Sequence, residues 1–232
     1  MTAIPSDGLA ATFARLGGED DRQVWSELWD GLYHQPRIGS DSLTALPYLA
    51  EIADGRAPGE PDEAVELAGL IASTADHEHC VRYAEELAVL LPVARRLLEA
   101  ARESAVVFVD LLRCVLALEG ERIWSTGLLE GLYQHEYEIE CPKCTSELFI
   151  AFGDRGTFAS AGDYVTSDPA KTALLPADPA TLAPFPTRLH RAAAQAGHED
   201  IARGITYLFG RATCPDCGAV FPVEDQVEAS RI

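Results

Sequence analysis

Apolar residues recur at helical spacing through most of the first 135 positions, and the period then changes to two. In DRQVWSELWDGLYHQ, residues Val24, Trp25, Leu28, Trp29 and Leu32 share one face of a helix that Asp20 or Asp21 caps. SDSLTALPYLAEIADG predicts a second helix, capped at Ser40 or Asp41 and ended by Gly55, with Pro47 kinking it or marking its first turn. PDEAVELAGLIAST opens on Pro61 and acidic residues, both suited to a helix N-terminus. A helix over residues 80–100 contains Pro92. SAVVFVDLLRCVLALEG is apolar on most faces and so belongs at the centre, and ERIWSTGLLEGLYQH completes the set.

From residue 136 the pattern is that of strands. EYEIE alternates Tyr137 and Ile139 against glutamates, and ELFIAF and AVFPV form further short strands. The stretch from Gly153 to Thr187 is rich in Gly, Pro, Asp and Ser and reads as a long loop, ordered or mobile. RLHRAAAQAGHEDIARGITYLFG then predicts a helical hairpin turned at Gly197 and His198.

WSELWDGLYHQ, from Trp25, is echoed by WSTGLLEGLYQH, from Trp124. Such an echo is what repeated helical units produce when each buries its face against the next. The helix pairs over residues 20–135, including ALPYLAEIAD, resemble HEAT or armadillo repeats. That resemblance implies a stack of helix pairs whose exposed face binds protein partners. The uneven spacing of the pairs departs from a regular superhelix, and a compact all-α domain is the alternative.

The strands flank four cysteines in two C-x-x-C pairs, CPKC at Cys141 and Cys144 and CPDCG at Cys214 and Cys217. In a reducing compartment such pairs signal metal or redox chemistry rather than structural disulfides. Pro215 stiffens the second turn, and Gly218 can take a positive φ after the second sulfur. Thr145 replaces that glycine in the first, which predicts a differently shaped turn. Both segments resemble zinc-ribbon knuckles of the rubredoxin type. The resemblance implies that Cys141, Cys144, Cys214 and Cys217 are the four ligands of one structural Zn²⁺, with iron as the alternative ion. Sixty-nine residues separate the pairs, but loop-closure entropy grows by only about 0.6 kcal/mol per doubling of length. A thioredoxin-like motif would need a βαβ context that neither pair has.

The expected fold is therefore mainly α. Residues 1–135 form a HEAT-like helical body, and residues 136–232 a small β zinc-ribbon domain carrying an inserted loop and helical hairpin at 153–211. With 47% hydrophobic residues in 232, the chain can build a core without relying on a metal. No apolar run approaches the roughly 20 residues of a membrane span, and MTAIPSDGLA lacks the marks of a signal peptide. The expectation is a cytoplasmic protein.

Eighteen Lys and Arg against 37 Asp and Glu give a formal charge of -19. That field repels nucleic acid and anionic lipid and speeds encounter with basic proteins. His77, His79 and Cys80 cluster in TADHEHCVRY, where a polar interhelical turn competes with a second metal site. His34 and His135 end the two similar helices and suit a C-terminal dipole. Cys114 reads as a small buried core residue, and the three tryptophans as core. No G-x-S-x-G, P-loop, G-x-G-x-x-G or H-E-x-x-H occurs.

The function expected is a non-catalytic, metal-binding protein-interaction module that neutralises a basic partner, as immunity or antitoxin proteins do. One alternative is an enzyme or enzyme subunit with a site between body and ribbon, using His77, His79 or His135. The other is a nucleic-acid-associated ribbon, which would need a basic stripe of Arg188, Arg191, Arg203 and Arg211.

Overall fold

The computed structural model describes residues 6–18, 20–32 and 40–230. The protein is mainly α with a small antiparallel β part. Two compact units divide it: Met1–Ala100 with Asp110–Thr126, and Ala101–Val109 with Gly127–Ile232.

The first unit begins with α1 (Ser6–Phe13) and α2 (Asp21–Leu32). Asp21 accepts hydrogen bonds from the N–H groups of Gly17 and Gly18, at 2.9 and 3.0 Å, and so fixes the turn between these helices. Val24, Trp25, Leu28 and Leu32 are buried, as their spacing predicts. Tyr33 and His34, and the side chains of Ser40 and Asp41, lie outside the described residues. SDSLTALPYLAEIADG divides into a 3₁₀ segment, Ser40–Ala45, and α3 (Leu46–Ala53), with Pro47 in the first turn of α3. Proline is tolerated there because its missing N–H has no intrahelical partner in any case. Then come α4 (Pro61–Thr74), α5 (His77–Arg82), α6 (Ala84–Ala100) and α7 (Ala105–Leu118), of which residues 110–118 belong to this unit.

The predicted helix over 80–100 is in fact broken at Tyr83, where α5 ends and α6 begins. Asp76 captures the His79 N–H at 2.9 Å and caps the earlier, shorter helix. Pro92 sits within α6 on an exposed face. Leu46, Leu49, Ile52, Leu67, Ile71 and Leu90 are fully buried where α3, α4 and α6 pack. Gly69 permits a close approach to α7, because a Cβ there would lie 2.5 Å from Cys114 Sγ and 2.8 Å from its Cα.

ERIWSTGLLEGLYQH does not form one helix. The Glu121 carboxylate takes the N–H groups of Trp124 and Ser125, at 2.5 and 3.1 Å, and holds a turn. Only a 3₁₀ turn, Gly127–Glu130, and the short α8 (Gly131–Gln134) follow. The echo of Trp25 and Trp124 is thus one of sequence, since Trp25 lies in α2 and Trp124 in this turn.

In the second unit, β1 (Glu136–Glu140), β2 (Glu147–Gly153), β3 (Gly156–Ser160) and β4 (Lys171–Ala173) form an antiparallel meander. Tyr137 and Ile139 face inward and the glutamates outward, following the period of two. The segment predicted to be a loop therefore supplies two strands. α9 (Pro184–Ala196) and α10 (Glu199–Leu208) make the predicted hairpin, turned at Gly197 with φ of 86°. β5 (Arg211–Thr213) and β6 (Val220–Pro222) form a second antiparallel pair, followed by α11 (Val223–Ala229). Phe152 is buried among Tyr137, Tyr207 and the Gly204 backbone of α10, where a Cβ would approach its ring to 3.0 Å. The backbone bridge between Leu175 and Arg211 ties the end of the meander to the second pair.

Candidate metal centre

Each cysteine pair sits in the loop of an antiparallel hairpin. The last pairing of β1 with β2 is Glu140 to Glu147, and that of β5 with β6 is Thr213 to Val220. Both hairpins therefore close over loops of the same length, Cys141 to Ser146 and Cys214 to Ala219.

The backbone bonds correspond one for one. Cys141 N–H donates to Ser146 O at 2.9 Å, and Cys214 N–H to Ala219 O at 2.8 Å. Thr145 N–H donates to Cys141 O at 2.9 Å, and Gly218 N–H to Cys214 O at 3.0 Å. Thr145 adopts a φ of 59° and Gly218 one of 71°. The first turn is thus not differently shaped, as the missing glycine predicts: Thr145 accepts the left-handed conformation.

The two loops bring four sulfurs together, all within 4.8 Å of one another. Cys141 Sγ lies 3.7 Å from Cys217 Sγ, and Cys144 Sγ lies 3.7 Å from Cys214 Sγ. Sulfurs around a tetrahedral ion with bonds near 2.3 Å would be about 3.8 Å apart. All six cysteines are free thiols, and a disulfide would need about 2.05 Å. The four residues fit a metal ion of that size and can hold one.

Their bare thiols are not equivalent. The Ser146 hydroxyl, 3.3 Å from Cys144 Sγ, and the Ser146 N–H pull Cys144 down to about 6. Burial pushes Cys214 up to about 12. A coordinated divalent ion deprotonates such thiols outright, so this asymmetry belongs to the metal-free protein. Ser146 is a site residue that the C-x-x-C spacing did not single out. Its hydroxyl type, two positions after the second sulfur, was the available signal.

The other candidates do not converge. Among the described residues the four cysteines are the only group of three or more His, Cys, Asp or Glu placed to share an ion. His77 is exposed, Cys80 is half-buried, and His79 Nδ1 lies 2.7 Å from the capping Asp76 carboxylate. His135 follows α8 with a φ of 61°, its Nδ1 buried and its ring edge-on to Phe152. Arg203 pairs with Asp200 at 2.7 Å, Arg188 lies over the Phe185 ring, and Arg191 and Arg211 are exposed. Cys114 is buried, as the sequence predicts, and its thiol is pushed up to about 12, chiefly by burial.

Among the described residues no helix is long and apolar enough to cross a membrane. Compared with protein-family models, curated proteins and solved structures, the chain gives no significant match.

Proposed function

We propose that the protein is a non-catalytic interaction module in which a structural Zn²⁺ clasps the second unit and an acidic surface engages a basic protein. The observation that carries this reading is the convergence of four sulfurs from two equivalent turns. Four thiolates complete a tetrahedral shell, so such an ion has no open position for water or substrate and serves to hold chain segments together. Thiolate donors favour zinc over hard cations, and iron is the competing ion for the same set.

On this reading the hairpins that carry the knuckles form a split ribbon, and the meander's outer strands with the α9–α10 pair are its insertion. The packed helices of the first unit supply the interaction surface, as helical-repeat proteins do. The formal charge of -19 selects basic partners and speeds their approach. Reduced, metal-binding cysteines belong in a reducing compartment, which supports a cytoplasmic site of action.

The test is capture from a cytoplasmic extract on immobilised, metal-loaded protein, at low and at physiological salt. The reading expects one or more basic proteins to be retained, more strongly at low salt. Retention of nothing at either ionic strength would contradict it.

A further inference from the structure

Within the first unit, α2, α4, α7 and the turn at Ser125 line a cavity of ≈ 160 Å³ that is partly open to solvent and whose lining includes Trp29, Glu66, Asp110, Arg113, Cys114 and Ser125. Its polar groups are unevenly provided for. Among the described residues, none gives the Glu66 carboxyl an ion pair or a hydrogen bond. Ser125 is 3% exposed, and its hydroxyl has no hydrogen-bond partner. Arg113 lies 3.3 Å from the Asp110 carboxylate one turn away on the same helix, while its Nε atom is buried without a hydrogen bond of its own. The Trp29 indole is fixed by donating its N–H to Glu63 at 2.7 Å.

The charge balance selects the ligand. Burial first, then the neighbouring Glu63, Asp110 and Asp62, lifts Glu66 to about 7. A positive group beside it would relieve the cost of ionising this carboxyl, whereas an anion would add to it. Cys114, with its thiol at about 12, acts as a wall rather than as a nucleophile or ligand. A cavity of about 150 Å³ accommodates benzene, so this one takes about six heavy atoms.

We propose that this cavity binds a short primary alkylammonium group, whose N–H donors go to Glu66 and Ser125 and whose stem lies against Trp29, Leu70 and Cys114. Butylammonium, with about five heavy atoms, fits the volume. The same group ends a lysine side chain and a free alkylamine. The inference goes beyond the interaction reading and uses none of the metal-centre residues, so either can fail without the other.

The test is titration of the intact, metal-loaded protein with n-butylammonium, followed by calorimetry and by the NMR signal of the Trp29 indole N–H. Saturable 1:1 binding that moves this signal is expected. Glu66 faces Asp62 and Glu63 from its own helix and Asp110, Arg113 and Cys114 from α7. Affinity should therefore rise about ten-fold from pH 6 to pH 8, as the carboxyl ionises while the amine stays charged.

n-Butanol and butyrate should bind at least about ten-fold more weakly. Glu66→Gln should weaken butylammonium binding by about ten-fold or more and remove the pH step. This variant should fold, because it removes a poorly solvated charge. Ser125→Ala, which keeps the pH step but binds more weakly, provides a second check. A terminally blocked lysine peptide that binds like butylammonium would identify a protein side chain as the source. Binding of the free amine alone would identify a small molecule, and either result supports the site. Absence of saturable binding, equal binding of butanol or butyrate, or an unchanged Glu66→Gln variant would overturn the proposal.

Discussion

Thr145 and Gly218 occupy equivalent places in two matching turns. Each follows the second cysteine of its pair, each adopts a left-handed φ, and each donates its N–H to the carbonyl of the first cysteine. Glycine takes this conformation without steric cost, whereas a β-branched residue crowds its Cβ against the backbone by roughly 1–2 kcal/mol. Thr145 is held there because its turn must match the other to bring four sulfurs together. Its hydroxyl donates to Cys144 O at 2.7 Å and offsets part of the strain.

Exchanging these residues should expose the asymmetry. Gly218→Thr is expected to destabilise the protein by roughly 1–2 kcal/mol. Thr145→Gly should gain no more than about 0.5 kcal/mol, since glycine also gives the unfolded chain more freedom. Denaturant midpoints measured with metal present check both. A Gly218→Thr variant as stable as the parent protein would show that this turn does not hold the left-handed conformation in solution.

The contact of Gly69 with Cys114 makes a second prediction. In Gly69→Ala the new Cβ meets both the sulfur and the Cα of Cys114. The backbone must shift, at a cost of roughly 1–3 kcal/mol by chemical denaturation. Adding Cys114→Ala should recover only a minor part, because the clashing Cβ and Cα remain at 2.6 and 2.8 Å. Full recovery would mean that the sulfur alone sets the spacing.

Glu66 predicts a particular dependence of stability on pH. Its folded value of about 7 lies above the ordinary 4.5, so the folded state binds more protons than the unfolded state between those values. Stability therefore falls as pH rises through this window, and the loss is complete above about pH 7. Allowing for solvent screening at a partly exposed group, the loss should be about 1–2 kcal/mol relative to Glu66→Gln. Parallel stability profiles of the two proteins from pH 5 to pH 8 would refute this.

The helical half of the fold was legible wherever a segment carried a clear apolar face, as in α2, α4 and α7. It was misread where local polar groups competed with the helix. Asp76 caps α5 before α6 begins, and Glu121 gathers the N–H groups of residues 123–125 into a turn. Neither choice registers in a count of apolar spacing. β3 and β4 were missed because GTFAS and KTA carry little apolar patterning, and it is the ladders of β3 with β2 and of β4 with β3 that order them. The four cysteines could be read because C-x-x-C is a local signal that survives any insertion. The Glu66 cavity could not, since Trp29, Glu66, Asp110 and Ser125 are joined only by tertiary packing.

The central claim is that two equivalent turns hold a single ion. Elemental analysis of protein purified without added metal, beside the Cys214→Ser, Cys217→Ser variant, tests it most directly. The expected result is about one zinc per chain in the first and none in the second. No bound metal, or the same metal content in both proteins, would contradict the account.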